Sequence, residues 1–96
     1  MMEFLLDNGF DENIVKKLQK EIPEWEQIDL TNSKGLVEAN LDFLKELGVK
    51  DYVEVFQAYY PMFLMDKSNF ANVFNKYDKN DLLDKISKNM TIIEHL

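Results

Sequence analysis

Apolar residues recur at helical spacing along nearly the whole chain, and strand-like alternation of useful length occurs nowhere. Such a chain can bury its apolar side chains only by packing helix against helix. Its punctuation is sparse, three Gly and two Pro in 96 residues. Gly9 and Gly48 stand where helix ends favour glycine, and Pro23 and Pro61 stop two further helices. The spacing predicts a short helix over Met2–Asn8, then one capped by Asp11 with Ile14, Val15 and Leu18 on one face. A third carries Leu36, Val37, Leu41, Phe43, Leu44 and Leu47, behind caps offered by Thr31, Asn32 and Ser33. Asp51, with Glu54 three residues on, opens a fourth bearing Tyr52, Val53, Val55, Phe56, Tyr59 and Tyr60. Being apolar on more than one face, that helix is expected at the centre. A fifth, capped by Asp66 or Ser68, carries Phe70, Val73, Phe74 and Tyr77. A sixth, started by Asn80 or Asp81, carries Leu82, Leu83, Ile86 and Met90, and Thr91–Glu94 reads as the opening of one more. Residues 24–32 read as a short turn or 3₁₀ piece and a loop. The expected fold is therefore all-α, a compact bundle of about six short helices forming one domain over 1–96.

The chain also resembles itself. Phe4-Leu5-x-x-x-Gly9 matches Phe43-Leu44-x-x-x-Gly48. Val15-x-x-Leu18-x-x-x-x-Pro23-x-Trp25 matches Val53-x-x-Phe56-x-x-x-x-Pro61-x-Phe63, and Leu83, Ile86, Thr91 and Ile93 keep that spacing without the Pro. Two and a half helix–helix–3₁₀ units are expected, over 2–30, 36–66 and, in part, 70–96. No such unit can cover its own apolar face, so neighbours must stack.

Phe43-Leu44-Lys45-Glu46-Leu47-Gly48-Val49 through Pro61-Met62-Phe63-Leu64 resembles the repeat of the mitochondrial transcription termination factor family, and residues 4–25 resemble it less closely. The resemblance implies stacked helical repeats and nucleic-acid binding through a basic groove. Residues 43–56 are also similar to the opening of a sterile alpha motif, and Asn8-Gly9-Phe10-Asp11 with Val15 and Leu18 to a ubiquitin-associated module.

Charge weighs against nucleic acid as the partner. The net charge is −7, and all eleven cations are Lys. Arg, the usual residue for bidentate phosphate and guanine contacts, is absent. The front is acidic: residues 1–30 hold eight acids against three Lys, whereas residues 67–96 hold four against five. No apolar run approaches a membrane span, and the opening Met1-Met2-Glu3 lacks the basic region of a signal peptide. With no Cys there is neither a disulfide framework nor thiolate chemistry. These features lead to the expectation of a cytoplasmic protein without a membrane partner.

Catalytic constellations are wanting. His95 is the sole His, and no glycine-rich phosphate loop or His-x-x-x-His spacing occurs. Asp78-Lys79-Asn80-Asp81 opens like a calcium loop, but Leu83 stands in place of its turn Gly and Asn89 in place of its bidentate Glu. No enzyme, cofactor or metal site is expected. The expected activity is binding to another protein, one with a basic surface. The candidate contacts are the acidic aromatic segment Glu21, Glu24, Trp25, Glu26 and Asp29, and the tyrosines Tyr52 and Tyr59. The repeat register gives Trp25 a competing role, in the core beside Phe63 and Ile93. Two alternatives accompany this reading. One is an inhibitor of the phage or mobile-element kind, whose acidity mimics nucleic acid in a basic cleft. The other is a nucleic-acid binder using Lys67, Lys76, Lys79, Lys85 and Lys88.

Overall fold

Six α-helices and three 3₁₀ segments, with no strand, make up the computed structural model, which describes all 96 residues. A 3₁₀ segment at Glu3–Asn8 leads to α1 (Glu12–Glu21), α2 (Glu24–Asn32), α3 (Lys34–Leu47) and α4 (Tyr52–Tyr59). A second 3₁₀ segment, Tyr60–Leu64, precedes α5 (Lys67–Asn75) and α6 (Lys79–Lys88), and a third spans Met90–His95. The all-α bundle follows from the helical periodicity.

Local chemistry sets most of the boundaries. The Asp11 carboxylate accepts the backbone N–H groups of Asn13 (2.7 Å) and Ile14 (3.3 Å), the free donors at the start of α1. Asp66 caps α5 through Ser68 N–H, and Asp78, rather than Asn80 or Asp81, caps α6 through Asp81 N–H. Asp51 makes no side-chain cap for α4. At the end of α3, Gly48 takes φ +100°, and the N–H groups of Val49 and Gly48 return to the carbonyls of Leu44 (3.0 Å) and Lys45 (3.1 Å). The matching segment at the front behaves alike. Gly9 has φ +92°, and Phe10 N–H returns to Leu5 (3.2 Å). Leu5 and Leu44 thus occupy the same place in two left-handed helix stops, and both are fully buried.

Two expectations need correction and one a finer description. Residues 24–32 form α2 rather than a turn and loop. Pro23 is suited to the entry of a helix, and its carbonyl accepts from Glu26 and Gln27 at 3.0 Å each. The short front helix forms as expected, and is of the 3₁₀ kind. The hub is α3 rather than α4, for α3 packs against the first two 3₁₀ segments and against α2, α4 and α5. It is the longest helix and buries Val37, Asn40, Leu41 and Leu44, whereas α4 buries only Val55 and Phe56 and leaves its three flanking tyrosines half-exposed. Thr91–Glu94 falls in the last 3₁₀ segment, capped by Asn89, and buries Ile93.

One apolar core joins these elements. Through it runs a file of phenylalanine rings: Phe10 on Phe56 (5.3 Å between centroids), Phe56 on Phe63 (5.1 Å), Phe63 on Phe70 (5.1 Å) and Phe70 on Phe74 (5.2 Å). Two buried amides brace it. Asn40 Nδ2 donates to the carbonyls of Phe63 and Met65, both at 2.9 Å, fixing the second 3₁₀ segment to α3. Gln27 Nε2 donates to the carbonyls of Gln19 (2.9 Å) and Ile22 (2.8 Å), folding α2 back onto the end of α1. No helix is long and apolar enough to cross a membrane.

Candidate functional site

Helix α2 is unusual in carrying apolar side chains on two faces. Gln27 and Leu30 point inward and are buried. Trp25, Ile28, Asp29 and Asn32 are all exposed, and their spacing of i, i+3, i+4 and i+7 places them in one stripe along the outward face. Trp25, expected in the core, is 66 % exposed, the most exposed of the large apolar residues, and Ile28 beside it is 41 % exposed. The cause is the α-helix that forms after Pro23. Trp25 lies about 140° around its axis from Leu30, so seating Leu30 turns the indole to water. In the matching segment after Pro61 the chain is 3₁₀, and Phe63 is fully buried.

Carboxylates accompany the stripe. Asp29 lies within it, Glu24 precedes Trp25 on α2, and Glu21 lies at the end of α1, across Pro23. All three are exposed, and none belongs to an ion pair. Glu26 differs from its neighbours. It is half-buried and accepts a hydrogen bond from the Tyr60 hydroxyl at 2.8 Å, pinning α2 to the start of the second 3₁₀ segment. Burial, then this hydrogen bond and the Glu26 charge, raise the Tyr60 pKa above its ordinary value of 10.0.

Five of the seven expected contact residues thus gather at the α1–α2 corner: Glu21, Glu24, Trp25, Glu26 and Asp29. The two tyrosines stand apart on α4. Tyr52 is committed inside the chain. It meets Phe10 edge to face at 6.3 Å, lies under Lys45 Nζ at 5.0 Å, and sets its hydroxyl against Gly9, where a β-carbon would collide with it. Tyr59 donates to Glu94 at 3.1 Å and lines a shallow groove of about 490 Å³ with Met62, Val73, Ile93 and Leu96. Desolvation, then Glu94, raise the Tyr59 pKa above 10.0. Ile28 was not singled out in the sequence, although its i, i+3 spacing from Trp25 carries the signal once 24–32 is read as a helix.

No group of three or more acidic or His side chains converges to hold a metal ion. Of the tail lysines, Lys85 and Lys88 are paired with Asp81 and Asp84 at 3.0 Å. Comparison with protein-family models, curated proteins and solved structures finds no match.

Proposed function

We propose that this chain is a non-enzymatic protein-interaction module that binds another protein through the outward face of α2, with Trp25 as its anchor. The exposure of Trp25 carries the reading. Two thirds of a side chain offering about 200 Å² remain in water, and burying that area is worth about 3 kcal/mol. The indole also sits on a fixed helix, held by Leu30, Gln27 and Tyr60–Glu26, so little ordering entropy opposes its docking. Trp is among the residues that most often dominate binding energy at interfaces.

The mimicry reading draws on the three unpaired carboxylates at the same corner. It differs in making charge, rather than the indole, the main source of affinity. Nucleic-acid binding by the tail is the weakest of the three, since Asp81 and Asp84 offset two of its five lysines.

Affinity capture from native extract, with protein and nucleic acid identified together, tests the choice. A protein enriched by the parent chain and lost with Trp25→Ala supports the proposal. Enrichment that survives Trp25→Ala but disappears with Glu21→Gln/Glu24→Gln/Asp29→Asn transfers the function to mimicry. Recovery of nucleic acid that falls with salt and with Lys76→Glu/Lys79→Glu transfers it to the tail.

A further inference from the structure

We infer that the surface α2 receives is a basic amphipathic helix of another protein, one with an apolar stripe flanked by Lys or Arg. This rests on the preceding reading of α2 as the contact and adds the chemistry of the partner. Trp25 and Ile28 lie one turn apart on an outward helical face, the arrangement by which one helix engages the apolar stripe of another. Glu24 and Asp29 on α2 and Glu21 at the end of α1 are exposed and unpaired, and α2 carries no cation, the nearest in sequence being Lys20 and Lys34 beyond its two ends. A partner that covered the indole with an acidic or neutral surface would hold these carboxylates near an apolar contact without compensation. Cations flanking the stripe turn that cost into attraction and speed encounter.

The same charges argue against a second copy of this chain. Packing α2 on α2 would bring two sets of unpaired carboxylates together around one apolar contact. They also separate this surface from a lipid-facing one. Anionic headgroups would repel an acidic rim.

The single Trp of the chain reports on its own site. The probe is a synthetic amphipathic helical peptide of Leu and Lys, compared with a Leu and Glu peptide of the same pattern. The Leu/Lys peptide should bind saturably to the full chain and shift Trp25 emission to shorter wavelength, more weakly as salt is raised. The Leu/Glu peptide should do neither. Glu21→Gln/Glu24→Gln/Asp29→Asn should weaken the Leu/Lys peptide by about tenfold, the sum expected of three rim ion pairs. Glu46→Gln/Glu54→Gln, two exposed acids on α3 and α4, should leave its affinity within about twofold of the parent, allowing for long-range screening.

Equal binding of the two peptides would overturn the basic partner. So would unchanged affinity in the triple variant, or an equal loss in the Glu46/Glu54 control. If Trp25→Ala, followed by peptide anisotropy, weakens binding in those cases, the α2 contact stands and only its partner chemistry fails. If Trp25→Ala binds as tightly as the parent, the α2 contact itself fails.

Discussion

Trp25→Ala and Phe56→Ala remove aromatic rings from two positions that the repeat register treats as equally internal. The structure separates them. Phe56 is fully buried between Phe10, Phe63 and Tyr60. Its truncation removes the transfer energy of the ring and leaves a cavity within the phenylalanine file, a loss of about 3–5 kcal/mol. Trp25 hides only the remaining third of its surface. That third is about 50–80 Å², worth at most about 1–2 kcal/mol, and the better helix propensity of Ala returns roughly half a kcal/mol. The net loss should be about 1 kcal/mol. Urea unfolding followed by circular dichroism measures both without using the indole. With a denaturant slope of about 1.5 kcal/mol per molar, Phe56→Ala should lower the midpoint by about 2–3 M and Trp25→Ala by less than about 1 M. A Trp25→Ala loss as large as that of Phe56→Ala would place the indole in the core and remove the basis for an α2 contact surface.

Three further outcomes test contacts elsewhere in the fold. Tyr59→Phe/Tyr60→Phe should flatten stability at alkaline pH: because the folded pKa values lie above 10.0, these phenols contribute stability below pH 10 that is lost as pH rises through the raised values. Thermal melts across that range check it, and an unchanged alkaline decline in the double variant would refute the assignment. Asn40→Ala should cost about 1–3 kcal/mol by chemical denaturation, since it strips the donor from the buried Phe63 carbonyl and the part-buried Met65 carbonyl; a loss below about 1 kcal/mol would mean that the amide is no brace. Gly9→Ala should lower the melting temperature, because φ is +92° and the new β-carbon meets the Tyr52 hydroxyl, whereas Gly35→Ala should raise it by stabilising α3 by roughly half a kcal/mol, having open space around it.

Sequence periodicity was enough for the fold class because each buried stripe repeats at helical spacing, as with Val37, Leu41 and Leu44 on α3 or Phe70 and Phe74 on α5. It was not enough for residues 24–32. Their apolar residues Trp25, Ile28 and Leu30 are split between two faces, which hides the period that marks a helix. The repeat misled in the same place. Its glycine half shares one helix-stop geometry in both copies, with Phe10 and Val49 N–H returning to Leu5 and Leu44 around a left-handed Gly, although the helix before the stop is 3₁₀ in the first and α in the second. Its proline half does not, since the chain after Pro23 is α-helical and the chain after Pro61 is 3₁₀. After the prolines the rise and twist per residue differ between the copies, and there matching side-chain spacing does not carry matching burial. The tyrosines stand apart from the α2 corner for another reason. Tyr52 is spent on Phe10, Gly9 and Lys45, partners up to 43 residues distant that no local pattern reveals.

The loss of periodicity in α2 and its fitness as a contact surface have one origin. An amphipathic helix is held by its apolar face and offers water only polar side chains. In α2 part of the anchoring is polar: Leu30 enters the core, Gln27 ties the helix to two carbonyls at the end of α1, and Glu26 accepts from Tyr60. Hydrogen bonds fix direction as well as proximity, so two turns of helix are held with one large buried apolar side chain. Trp25 and Ile28 are left free of the core by that arrangement. A helix secured in this manner is ordered before its partner arrives, and the entropy that a flexible acidic loop would lose on docking is already spent in folding. This is the physical reason to place the contact on α2 rather than on the Tyr59 groove. Tyr59 and Glu94 already satisfy one another at that groove, so the Tyr59 hydroxyl is already engaged within the chain.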